Sequence, residues 1–209
     1  MSAQTIITIA RQYASGGKEI GQKVAAKLGI PFYDKELIAI AAKESGLSED
    51  IFEKADEKAG GSLLYALLMG NYAFGSSMSP ANVLPINDQL YLIQSDLIKK
   101  AAATGPCVIV GRCADYVLSN NKNCLNVFVH ADKPSRLKRA IQEYHIPEDK
   151  AAEVLMKKDK QRANYYNFYT NKKWDDINNY PLALSSSALG IDNAVELILS
   201  AAAKYQGAK

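Results

Sequence analysis

The chain opens on a run of apolar, β-branched residues, Thr5-Ile6-Ile7-Thr8-Ile9-Ala10, and this pattern predicts a buried strand. The period then changes. Ile20, Val24, Ala25 and Leu28 recur at helical spacing, so a helix starts near Gly17 or Lys18 and stops at Gly29. A second short strand is predicted over 30–33, followed by helices over 34–43 and 48–58. Residues 87–103 carry Leu90, Ile93, Leu97, Ile98 and Ala101 on one helical face, broken by Gly105-Pro106. Further strands are predicted over 107–110, 125–129 and 181–185. Helices are predicted from Pro134, over 148–168 and over 191–205. Strands alternating with helices mean a parallel sheet covered on both faces, an α/β fold.

One stretch departs from this alternation. Residues 60–85 are rich in Gly, Ser, Met and aromatics and carry no charge. Their run Leu63-Leu64-Tyr65-Ala66-Leu67-Leu68-Met69 needs a partner surface, which a substrate cover, a homodimer contact or the segment's own core would each provide.

Composition narrows the class. A chain of 209 residues with 48% hydrophobic residues can bury a substantial core, as one domain with excursions. The net charge of +3 is too mild for a nucleic-acid binder. Basic residues nevertheless concentrate between Lys133 and Lys173, which points to a local anionic ligand. Cys107, Cys113 and Cys124 are odd in number and lack metal spacing, so they read as small core residues of a reducing compartment. The opening residues hold no basic-then-apolar leader, and no apolar run approaches the ~20 residues of a membrane span. A cytoplasmic protein without a membrane partner is expected.

The chemistry begins between the first strand and first helix, at Ala14-Ser15-Gly16-Gly17-Lys18. A tight turn of small residues lets backbone N–H groups converge at the positive end of a helix, and Lys18 adds a point charge. Against the phosphate-loop pattern G-x-x-x-x-G-K-[ST], Gly17 and Lys18 fit, but Gln12 and Glu19 occupy the first-glycine and hydroxyl positions. An ordinary strand-to-helix turn, using glycine for backbone freedom, is the competing reading. Asp34 sits just past the second strand, where it can cap a helix or meet a ligand. Arg112 leaves the apolar run Val108-Ile109-Val110-Gly111 at the sheet edge where ligands collect, and Asp115 lies one helical turn on. Arg136 and Arg139 share a helix face, and Lys158, Asp159 and Arg162 stand on the long polar helix. Spacing alone is equally met by solvated faces and simple helix pairing.

Taken in order, the first strand and loop, Tyr33-Asp34-Lys35-Glu36-Leu37, CVIVGRCADYVL, the Arg136/Arg139 helix and DKQRANYYNFYT resemble the cytidylate kinase-like family of P-loop proteins. The likeness spans nearly the whole chain. It implies a three-layer α/β/α fold with a five-stranded parallel sheet in a single domain. The core would hold 1–45, 105–145 and 180–209, with a substrate cover at 46–104 and a helical lid at 147–178. It implies ATP and Mg²⁺ as cofactors and phosphoryl transfer to a nucleoside monophosphate, CMP or dCMP foremost. Ser15, Gly16, Gly17, Lys18, Glu19 and Ile20 would form the phosphate loop. Asp34 and Arg112 would fall in the monophosphate site, with Arg139 beside it. Arg136, Asp159 and Arg162 would form an anion-binding wall and lid, with Lys18, Arg112, Arg136 and Arg162 acting on the moving group.

Three departures stand out. The family pattern has glycine where this chain has Ala14, and an alanine there calls for a negative φ. Related monophosphate kinases place Gly-Thr after the lysine, the threonine helping to hold the metal; here Glu19-Ile20 follow. No arginine lies between Asp34 and Ala42 to grip a substrate phosphate. The metal ligands are therefore unassigned. A kinase acting on another small metabolite, and a nucleotide-binding regulatory or assembly module without turnover, are the alternatives.

Overall fold

In the computed structural model, residues 5–34 and 86–205 are described. The predicted helices over 34–43 and 48–58, and the uncharged stretch 60–85, lie outside them. Five parallel strands form one sheet in the order β2-β3-β1-β4-β5: β1 (Ile6–Arg11), β2 (Phe32–Tyr33), β3 (Val108–Val110), β4 (Cys124–His130) and β5 (Leu182–Ser185). β1 is the middle strand, pairing Ile7 with Val108 on one side and Leu125 on the other. Its buried, β-branched run suits a strand covered on both faces.

The alternation of side chains sorts the core into two layers. Ile7, Ile9, Val108, Val110, Val127 and Val129 face one side, against Ile20 and Val24 of α1 (Gly17–Leu28). Val195 and Ile198 of the closing helix (Ile191–Lys204) complete that layer. Ile6, Ile109 and Cys124 face the other side, against Leu90, Leu97 and Ile98 of α2 (Ile86–Thr104). The apolar stripe of α2 is buried on the sheet, so this helix, grouped above with the cover at 46–104, contributes to the core.

The short α3 (Ala114–Val117) follows β3. α4 (Lys133–Gln142) is capped by the Asp132 carboxylate, which accepts from the Ser135 N–H at 2.7 Å, with Pro134 in its first turn. α5 (Glu148–Thr170) runs past the carboxyl end of the sheet. There Tyr166, Trp174 and Tyr180 pack with Ala10, Cys113 and Phe128. The dense aromatics of the sequence thus seal the long helix to the core. A short helix, α6 (Ser186–Leu189), intervenes before α7 (Ile191–Lys204), a break that periodicity did not predict. All three cysteines are free and buried. Among the described residues no helix is long and apolar enough to cross a membrane.

Candidate active site

The turn between β1 and α1 is held from several sides. Gln12, at the pattern's first-glycine position, donates its N–H to the Val129 carbonyl at 3.0 Å, and its Oε1 accepts from the Ala131 N–H at 3.1 Å. The Ser15 hydroxyl lies 2.9 Å from the Gln12 carbonyl and 3.1 Å from that of Val129. Ser186 donates to the Ser15 carbonyl at 2.6 Å. Gly16 is the N-cap of α1 with φ 77°, and no side chain caps the helix. The first-turn N–H groups therefore face outward at the positive end of the helix. A Cβ on Gly16 would lie 2.5 Å from Ile191 Cδ1, and the φ of 77° is one that glycine takes without strain.

Two expectations about this loop are corrected. Ala14 takes φ 58°, not a negative value. A left-handed alanine costs about 1–2 kcal/mol. Its buried methyl packs with Ala140 and Leu155, contacts that a glycine would forgo. Ile20 is not a cradle residue: its side chain is fully buried and its N–H bonds the Gly16 carbonyl at 2.9 Å.

Arg136 and Asp159 meet at the loop itself. Asp159 Oδ1 accepts from the Tyr13 N–H at 2.7 Å, and Arg136 Nε donates to the Tyr13 carbonyl at 2.8 Å. The second Asp159 oxygen pairs with Arg136 Nη2. The pair therefore grips both polar groups of Tyr13, one residue before the tight turn. Arg139 donates to Glu19 at 2.9 Å and also pairs with Glu143 at 2.9 Å. Lys23 reaches the other Glu19 oxygen at 3.3 Å. Burial raises the Glu19 carboxyl, but bonds from Arg139 and Lys23 outweigh that and hold it below its ordinary value. Glu19 is thus a neutralised strut beside the cradle.

The carboxyl ends of β1, β2 and β3 supply the rest. Asp34, leaving β2, takes Lys18 Nζ at 3.0 Å on one oxygen and faces Arg11 Nη2 at 3.8 Å on the other. Residues 111–113 run left-handed, with φ 80°, 61° and 54°. Two non-glycine residues in that region mark a strained, over-determined turn. Arg112 and Arg162 line a cavity of about 150 Å³ together with Arg11, Lys158, Asp115 and Tyr165. Arg162 donates to the Arg11 carbonyl at 2.9 Å and lies 5.4 Å over the Tyr13 ring. Burial, with Arg11 adding repulsion, lowers the Arg162 guanidinium to about 9 and that of Arg112 to about 10. Guanidinium groups stay protonated near neutral pH even so; the depression comes first from withdrawing these charges from water. Asp115 accepts from the Tyr166 hydroxyl at 2.7 Å, and burial raises its carboxyl.

Sequence pattern alone does not single out Arg11. It carries the same signal as Arg112, a charged residue ending an apolar strand, but the phosphate-loop pattern follows it directly. Tyr13 has no such signal, because its main chain makes the contacts that matter.

Strand order, glycine cradle and lysine together define a P-loop kinase fold, with a cationic cavity beside the phosphate loop. The profile of the cytidylate kinase-like family matches residues 6–188, and the chain belongs to that family. A cytidylate kinase of Methanococcus vannielii is 29% identical over 102 residues, 46% of this chain. The chain spans 59% of that relative's length. A crystal structure of an uncharacterized protein from Eubacterium ventriosum superposes with TM-score 0.70 at 28% identity, covering 96% of this chain and 99% of that one. Shikimate kinase from Bacteroides thetaiotaomicron superposes with TM-score 0.52 at 12% identity over 94% of this chain and 96% of its own, a likeness of fold alone.

Proposed function

We propose that the protein transfers a phosphoryl group from ATP to a small anionic acceptor, a nucleoside monophosphate, with CMP or dCMP foremost. The observation that carries this is the adjacency of two anion-binding devices. The open N-terminus of α1 with Lys18 suits the donor's phosphates, and the cavity bearing Arg112 and Arg162 suits an acceptor's phosphate. Phosphoryl transfer asks for alignment and neutralised charge more than for acid–base groups. A module that bound one nucleotide would not need the second device.

In this reading Ser15, Gly16, Gly17 and Lys18 hold the donor, and Arg112 and Arg162 hold the acceptor. Arg136, Asp159, Arg139 and Glu19 are positioning residues that act through the loop. ATP fits the cradle, because the uncapped N-terminus of α1 and the Lys18 ammonium would meet its phosphates. Mg²⁺ neutralises phosphate charge when bound. The position after the loop lysine offers no hydroxyl for it, and Ser15 is engaged by backbone carbonyls. Glu19 is engaged by Arg139 and Lys23, and Asp34 by Lys18. We place the protein in the cytoplasm, in keeping with its three free, buried cysteines.

The test is ADP release across nucleoside monophosphates, nucleosides and small phosphorylatable metabolites. Turnover with CMP or dCMP above the others is expected. Turnover only with another metabolite would reassign the acceptor, and ATP binding without turnover on any would establish the non-catalytic module.

A further inference from the structure

The side chain of Arg11 runs through a passage made by two glycines. A Cβ on Gly17 would lie 2.6 Å from Arg11 Cβ and 3.0 Å from Cγ. A Cβ on Gly111 would collide with Arg11 Nη1 and lie 3.2 Å from Cζ. The stem therefore lies on the phosphate loop and the guanidinium lies across the backbone of Gly111, beside Arg112. No larger residue fits at either glycine without displacing it.

This placement has an electrostatic cost that a merely structural residue would avoid. Arg11 enters a cavity already lined by Arg112, Lys158 and Arg162. Asp34 and Asp159 act on these guanidinium groups from beside the cavity, and the wall itself carries Asp115, whose neutral form is favoured by burial. Asp34 stands 3.8 Å from Arg11, beyond hydrogen-bond reach, and gives its closer contact to Lys18 at 3.0 Å. Gln161, another wall residue, buries its Oε1 without a hydrogen-bond partner among the described residues. Three guanidinium groups and a buried amide oxygen that converge on one cavity suit a polar anion carrying a donor group.

We propose that Arg11 is a substrate-binding residue, its guanidinium joining Arg112 and Arg162 around the dianionic phosphate of the acceptor. This rests on the acceptor site proposed above and adds a third cation to it, supplied by the strand that leads into the phosphate loop. Because one side chain touches both the loop and the acceptor cavity, it links the donor and acceptor sites. The competing role is a counter-ion that only holds Asp34, and through it Lys18.

The experiment separates the two. Protein saturated with the non-hydrolysable donor analogue AMP-PNP and Mg²⁺, which fills the loop, is titrated calorimetrically with inorganic phosphate. Wild-type protein is expected to bind phosphate, and Arg11→Met to bind it about tenfold or more weakly, since a charge-assisted, two-pronged contact is lost. AMP-PNP affinity should stay within about threefold, with the melting temperature kept. Arg11→Lys, which keeps the charge but not the fork, should fall between. Unchanged phosphate affinity in Arg11→Met, or no phosphate binding by the wild type, would overturn the proposal. A lowered melting temperature and weakened AMP-PNP binding with phosphate binding intact would assign the counter-ion role instead. If AMP-PNP itself fails to bind, the donor reading falls separately. The same phosphate titration in a Lys18→Ala background, with and without Arg11→Met, then decides Arg11 by the same criterion.

Discussion

Replacing Asp159 by Asn tests how the phosphate loop is held. The side chains of Arg136 and Asp159 are 10% and 19% exposed, so their pairing is largely withdrawn from water. Asparagine keeps the shape and can still accept from the Tyr13 N–H, but it removes the negative charge and can turn an amide N–H toward Arg136. Stranding one member of a buried ion pair costs about 3–5 kcal/mol, and partial exposure brings this to about 3 kcal/mol here. For a chain of this length each kcal/mol lowers the melting temperature by about 2–4 °C, so a drop of about 6–12 °C is expected. Nucleotide affinity should fall with it, because the Tyr13 peptide anchors the loop. Thermal and urea denaturation of Asp159→Asn, Arg136→Met and the double variant form a cycle. The double variant no longer buries an unpaired charge, so it should be about 1–3 kcal/mol more stable than the singles sum to. A shift of less than about 2 °C for Asp159→Asn, or strict additivity in the cycle, would refute the clamp.

Lys18→Ala should abolish nucleotide binding without unfolding the protein, since the Lys18 side chain is 43% exposed and carries no core packing; calorimetry with ATP checks this. Arg112→Lys should weaken the acceptor by about tenfold, roughly 1.4 kcal/mol, with thermal stability nearly kept, because an ammonium cannot reproduce a guanidinium's paired bonds. Steady-state KM and kcat beside a melting curve decide it, and a lowered melting temperature with intact kinetics would make Arg112 structural. Asp115→Asn should stabilise the protein at pH 7–8, measured by melting temperature against pH. Burial raises the Asp115 carboxyl above its unfolded value, so the folded state holds the proton more tightly. Its charge therefore costs stability as pH rises through the window above about 4, and the advantage of Asn should vanish below it.

The parallel sheet was legible because its cause is local. A β-branched run such as Ile6-Ile7-Thr8-Ile9 and a helical stripe such as Ile20, Val24 and Ala25 have few ways to bury themselves. The loop was legible for the same reason: small residues between strand and helix, with a lysine, define a local backbone shape. Tertiary structure decided the roles of the charges. Arg136 and Asp159 lie 23 residues apart and share Tyr13, a main-chain contact that leaves no mark on side-chain pattern. Spacing set Arg136 and Arg139 on one helix face, yet one grips the loop and the other neutralises Glu19. Ala14 shows the limit from the other side, since local sterics argue against its φ and burial against Ala140 and Leu155 overrides them. Arg11 shows it most sharply. Its place follows from Gly17, returned to it by the turn into α1, and from Gly111, brought to it by the pairing of β1 with β3. Local pattern thus determined which elements form, because burial and backbone sterics act over a few residues. The partners of each buried charge were set by contacts between distant segments, which only the packed sheet and helices bring together.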